Sequence, residues 1–203
     1  MKAIKTRLAA LGFLEFAVWG TYLVSIGLYL SSVGLGDYIF WFYTMQGIVS
    51  LFMPGIVGMV ADRFIPAQKM FSLCHLIAGS FMMAAGWYAM QAGSEVQFGP
   101  LFALYSVSVA FFMPTIGLNN SVAFNALGKA GLDTVKHFPP IRVFGTVGFI
   151  AAEWFVNFVK IDGVAISNSY TQLLACGIVS LVLAAYALTM PACPVNRASG
   201  GSL

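Results

Sequence analysis

Charged side chains are scarce in this sequence: seven acids and ten lysines and arginines among 203 residues, 8% of the chain. So little charge cannot solvate the exterior of a soluble domain of this length. A hydrophobic content of 60% and a mean hydropathy of +0.87 point the same way. The net charge of +3 comes from basic residues in separated loops, with no basic stripe, which excludes nucleic acid as a partner. The three cysteines, Cys74, Cys176 and Cys193, have no metal or redox spacing, and the first two fall within apolar runs as core residues. His75 and His137 read as an interfacial and a loop histidine, neither with a partner at metal-ligand spacing. There is no His-Glu-x-x-His, no Gly-x-Ser-x-Gly and no phosphate loop, so neither an enzyme nor a cofactor is implied.

What the sequence has in abundance is long apolar runs. They predict an all-α membrane protein with six transmembrane helices, at about residues 8–30, 39–60, 70–91, 98–120, 141–159 and 170–190. Each has roughly the 20 residues needed to cross ~30 Å of hydrocarbon. Lys2, Lys5 and Arg7 before the first run resemble a signal peptide. The run continues to Leu30 without a clear small-residue cleavage site, so it reads as an uncleaved helix. Lys2, Lys5, Arg7, Arg63, Lys69, Lys129, Lys136 and Arg197 share one side of this topology, with Arg142 at its edge. Only Lys160 is basic on the other side, which carries Asp37, Glu95 and Asp162. The positive-inside rule then places both termini in the cytoplasm. The connection at about 121–140 is the longest, and residues 191–203 read as a cytoplasmic tail whose Gly/Ser-rich end, Ala198–Leu203, suits a linker or a truncation point.

One stretch carries chemistry. Phe138-Pro139-Pro140-Ile141-Arg142 opens the fifth run, the prolines suiting a helix entrance where missing N–H groups cost little. From Arg142, Thr146, Phe149 and Glu153 follow at steps of four, seven and eleven, on one helix face. Ionisable groups in a membrane helix usually face protein or a water-filled cavity. The face reads either as the wall of a transport pathway or as packing beneath an arginine that snorkels to phosphate. On the first helix, Glu15, Trp19 and Tyr22 also share a face. A carboxyl that deep favours its protonated form unless it is paired, which suits proton carriage; the alternative is a structural partner for a basic residue or hydroxyl. Glu153 is open to the same two readings. Tyr43, Gln46 and Ser50, and Tyr105, Ser108, Phe112 and Asn119, mark polar faces expected to bond between helices. Gly55, Gly58, Gly145 and Gly148 are expected to permit close packing. Phe52-Met53-Pro54 and Phe112-Met113-Pro114 echo each other, and each proline permits a kink.

Gly58-Met59-Val60-Ala61-Asp62-Arg63 closes the second run and resembles the loop-two-three signature of the major facilitator superfamily, Gly-x-x-x-Asp-Arg. Phe64-Ile65-Pro66 replaces its usual basic continuation. Phe52-Met53-Pro54, Phe112-Met113-Pro114-Thr115, the Phe138–Arg142 run with Gly145-Thr146 and Gly148-Phe149-Ile150, and Phe13-Leu14-Glu15-Phe16 with Trp19-Gly20 resemble bacterial nucleoside permeases. These are nucleoside:proton symporters of that superfamily. The similarity spans nearly the whole chain but covers only the N-terminal six-helix half of such a protein. It implies alternating-access transport of a nucleoside with a proton across the inner membrane. It also implies that Arg142 lies in the central cavity and that Thr146 and Phe149 face the nucleoside. Gly58, Asp62 and Arg63 would form the gating or bracing motif, and Glu15, Glu153 and Tyr22 remain candidates for a proton or polar pathway. The expected partners are therefore a nucleoside, protons, the lipid bilayer and a C-terminal six-helix half. The competing reading is a free-standing six-helix protein whose second copy replaces that half, as a homodimeric transporter, channel or binding protein. Six further helices after Leu203 in the parent reading frame would favour the first; a natural stop there would favour the second.

Overall fold

The computed structural model describes residues 2–195; Arg197 and the Ala198–Leu203 tail lie outside the described residues. Seven α-helices carry the fold: α1 Lys2–Gly20, α2 Ile26–Ser32, α3 Ile39–Arg63, α4 Ala67–Ala92, α5 Phe98–Lys129, α6 Thr134–Phe158 and α7 Thr171–Ala187. Four of them, α3 (with the turn before it), α4, α5 and α6, are long and apolar enough to cross a membrane. Their 25 to 32 residues span about 38–48 Å at the α-helical rise. α7 is apolar but shorter, at 17 residues.

The first apolar run is not one helix. α1 ends at Gly20, and a turn over residues 21–25 leads into α2. Side chains take over what the backbone ladder loosens: the Thr21 hydroxyl donates to the Val18 carbonyl at 2.6 Å, and Tyr43 donates to the Leu23 carbonyl at 2.8 Å. Ser25 donates to Gln172 Oε1 at 2.9 Å, tying the break to α7. Irregular backbone in an apolar protein survives where neighbouring side chains satisfy it in this way.

The expected long connection at 121–140 is also corrected. α5 runs on to Lys129 and α6 begins at Thr134, so only residues 130–133 join them. Gly131 takes φ +65°, which glycine adopts freely, and Asp133 caps α6 by accepting the Val135 amide at 2.9 Å. Asp133, and not the proline pair, is therefore the entrance to the helix. Pro139 and Pro140 lie inside α6. They deprive only the carbonyls of Val135 and Lys136, near an end where Val135 is largely exposed. Pro54 and Pro114 likewise lie inside α3 and α5, which continue past them. Lys160–Ile161 and Val164–Ala165 form a short antiparallel hairpin closed by Asp162 and Gly163, both at positive φ. The Asp-Gly pair that favours this turn was present in the sequence.

The bundle is inside-out. Leu51, Phe52, Trp154 and Phe158 project outward, while Glu15, His75 and Gln172 are completely buried. The strongest packing is α4 on α7, α1 on α6, α4 on α5 and α3 on α5. Two of these seams depend on glycine. A Cβ at Gly148 would overlap the Phe13 carbonyl, one at Gly20 the Phe149 carbonyl, and one at Gly145 would lie 2.7 Å from the Phe16 ring. Gly177 faces Gly79 across α4 and α7 in the same way. Gly55 and Gly58 differ: a Cβ there meets nothing within 4 Å among the described residues, so neither serves packing within them. Past α7 the chain folds back, with the Cys193 amide donating to Gln68 Oε1 at 2.8 Å and Lys129 to the Ala192 carbonyl. Burial raises the Cys193 thiol above its ordinary value.

These contacts predict that Gly148→Ala costs about 1–3 kcal/mol through forced backbone separation. Gly58→Ala should be neutral or stabilising by up to about 1 kcal/mol. Thermal unfolding in detergent compares them; equal melting temperatures would mean that the α1–α6 seam tolerates a methyl group.

Candidate functional site

The α1–α6 seam sets the position of Arg142. With no side chain at Gly145, the guanidinium folds along its own helix, and its Cζ lies 4.1 Å from the centroid of the Phe16 ring. Such a cation–π contact is worth about 0.5–2 kcal/mol. That is enough to hold the arginine in place and little enough to give up when an acceptor arrives. Among the described residues no carboxylate pairs with it. From Phe16 an aromatic face continues through Trp19, 6.1 Å away, to Phe149 and Phe112, each 6.3 Å from Trp19. The Trp19 indole N–H is buried without a partner among the described residues. Arg142 and Phe149 are half-buried at this face, and Thr146 is exposed between them on α6. A cation, a hydroxyl and aromatic surfaces thus lie within reach of one another. Glu153, one turn past Phe149, takes the Asn157 amide on its own helix at 2.9 Å, and its second oxygen is buried without a partner among the described residues.

Glu15 is not at this face. It is wholly buried and bonded to His75 of α4, Oε2 to Nε2, at 2.7 Å. Its other oxygen lies 2.7 Å from the Thr115 hydroxyl of α5. His75 Nδ1 lies 2.9 Å from the Ser180 hydroxyl of α7, which itself donates to the His75 carbonyl at 3.1 Å. His75 is therefore not interfacial but the centre of the bundle, completely buried. Its neighbours in the sequence are apolar; the available clue was that an ionisable group in a membrane helix needs a buried partner. His137, expected in a loop, lies within the first turns of α6.

Donor counting shows what this array can do. Ser180 has one proton and gives it to the His75 carbonyl, so Nδ1 carries the ring proton there. One further proton then lies between Nε2 and Oε2. The Thr115 hydroxyl can point at Glu15 or at the Phe112 carbonyl, both within bonding distance. If Oε1 gained a proton, Thr115 would accept it and turn to Phe112, leaving every group satisfied. One ring separates this array from the aromatic face, because Phe112 lies against both Trp19 and His75.

Tyr22, fully buried, donates to Gln46 Oε1 at 3.4 Å, and Tyr105 donates to the same oxygen at 3.3 Å. With Ser108 donating to the Ala78 carbonyl, these make the interhelical bonds expected of the polar faces of α3 and α5. Ser50 bonds within its own helix. Asp62 and Arg63 are exposed at the end of α3 and form no ion pair among the described residues.

Removing one partner of a buried pair strands the other, so Glu15→Ala should cost about 3–5 kcal/mol. Glu15→Gln, which keeps an oxygen for Thr115 and a donor for Nε2, should cost less than half as much. Thermal unfolding at neutral pH checks the order; identical losses would mean that loss of the carboxylate itself, common to both substitutions, and not the unpaired imidazole sets the cost.

The family model described as Nucleoside H+ symporter matches residues 1–203. Xanthosine permease of Escherichia coli (strain K12) is 39% identical over 195 residues, 95% of this chain and 44% of that protein. Nucleoside permease NupG of the same organism is 35% identical over 203 residues, again 44% of its length. Two crystal structures of the nucleoside transporter NupG, one of a mutant, superpose with TM-scores of 0.86 and 0.79. Both are 32% identical, covering 98% of this chain and 47% of theirs. The chain thus spans a little under half the length of these relatives, matching an N-terminal half of such a transporter. Aligned from end to end with its family model, a multi-pass membrane protein with a buried carboxyl–imidazole pair and an arginine laid on an aromatic face, the chain belongs to the nucleoside H+ symporter family.

Proposed function

We propose that this chain forms one half of a transporter that moves nucleosides with protons across the bacterial inner membrane. Six crossings account for its helices: α1 with α2 as the first, then α3, α4, α5, α6 and α7. Both termini lie in the cytoplasm, on the side where the basic residues gather. A C-terminal six-helix half completes the site. The relatives' length supports that half over a second copy of this chain, since this chain covers only 44% of xanthosine permease.

One observation carries the reading: the Arg142 guanidinium resting on Phe16, with no carboxylate partner among the described residues, beside Trp19 and Phe149. A nucleoside offers an apolar base face and several hydroxyl and carbonyl acceptors. Phe149 stacks on the base, while Arg142 and Thr146 bond to the sugar or the base edge. Alternating access rocks this bundle against the other half around that site. Proton binding must favour one orientation for coupling to work. In this half, the Glu15–His75 pair is the group built to take up a proton, with Tyr22 and Glu153 as further polar groups of the pathway. Gly58, Asp62 and Arg63 contact the other half as the helices rock, which suits the space around Gly58.

In the full-length protein, Arg142→Ala should reduce uptake of radiolabelled uridine to background, whereas Arg63→Ala should only impair it. Near-normal uptake by both variants would remove the site assignment. Vesicles holding only this chain should take up none.

A further inference from the structure

A cavity of about 620 Å³ lies along the α1–α6 seam, on the flank away from Arg142. Ala10 and Leu14 of α1 and Pro140 and Phe144 of α6 help to line it. Phe144 is two residues from Arg142, about 200° around the helix. The glycine seam therefore separates two flanks of α6. One carries the guanidinium and the aromatic face. The other is apolar along its length, and Phe144 is half exposed on it.

The apolar flank changes character at one end. Lys5 and His137 line that end, with Lys5 Nζ 3.0 Å from His137 Nδ1. The ammonium donates to Nδ1, which puts the ring proton on Nε2. Two ammonium N–H groups and the Nε2–H remain to bind an acceptor. Among the described residues neither side chain has a carboxylate within ion-pair distance. This is cationic donor capacity, unspent, at the mouth of an apolar groove. At about 30 Å³ per water-sized group, the groove holds on the order of twenty such groups.

We propose that this groove binds an anionic phospholipid of the leaflet on the amino-terminal side, its phosphate on Lys5 and His137 and an acyl chain along Leu14 and Phe144. The proposal rests on the reading that these helices cross a bilayer, and is independent of what the Arg142 flank carries. Charge complementarity selects the occupant: basic pockets between membrane helices take acidic headgroups, and the groove body offers a chain nothing polar. Lipid binding there would bear on the α1–α6 seam, and so on the helix that holds Arg142.

The test places a photo-reactive benzoylphenylalanine at Phe144 in the full-length protein, reconstituted in vesicles of phosphatidylcholine with or without phosphatidylglycerol. The expected result is a phosphatidylglycerol adduct in excess of its share of the bilayer. Lys5→Ala should lower it by about fivefold, and His137→Ala, which removes a neutral donor, by less. Adducts in proportion to lipid composition, or unchanged by both substitutions, would overturn the proposal, as would cross-linking to protein alone. Loss of the adduct on adding millimolar inorganic phosphate at constant ionic strength would overturn it in favour of a free-anion site. Flotation with both vesicle types checks the membrane reading separately, and melting temperatures confirm that the variants fold.

Discussion

Glu15 holds four helices in register. Its carboxyl, on α1, bonds His75 of α4 and Thr115 of α5, and His75 reaches Ser180 of α7. Ionisable groups so completely buried are stable only when every donor and acceptor is matched. The bond is thus a geometric constraint: α1 cannot slide or rotate on α4 and α5 without stranding a charge. Around it the core is apolar and nonspecific, with Leu11, Phe71, Val109 and Leu183 wholly buried. Apolar contact holds the helices together, while the polar array selects one arrangement of them.

The second constraint is steric. Gly20, Gly145 and Gly148 bring the α1 and α6 backbones so close that no side chain fits between them. That closeness turns Arg142 onto Phe16 and leaves Phe144 on the opposite flank. Two environments on one helix therefore follow from three missing side chains. The two constraints meet at α1, since Glu15 faces the bundle centre while its neighbour Phe16 supports the guanidinium. Phe112 is the only ring touching both Trp19 and His75 among the aromatic pairs of the described residues. A movement of α5 at Pro114 would be felt on both sides of that ring.

Much of this was legible beforehand. Apolar runs located the helices because burial and membrane insertion both require them, and the stripe from Arg142 to Phe149 needed only helical periodicity. The Phe-Pro-Pro-Ile-Arg run indicated the family. The break at residues 21–25 was not legible. No proline marks it, Gly20 at its edge reads equally well as a packing glycine, and it depends on hydroxyl and amide partners supplied by α3, α7 and the turn itself. The early start of α6 turned on the Asp133 cap, a short-range signal overshadowed by the two prolines that follow it.

The sequence alone determined that this is a helical membrane protein and which face of α6 bears the arginine. Those properties depend on composition and on spacing along one chain. Only the tertiary structure decided what Glu15 and His75 are for one another, because 60 residues separate them and no periodicity relates different helices. It also decided which glycines carry a seam. Gly148 and Gly58 look alike in sequence; one sits against a carbonyl and the other beside open space, and that difference lies in the neighbouring helix.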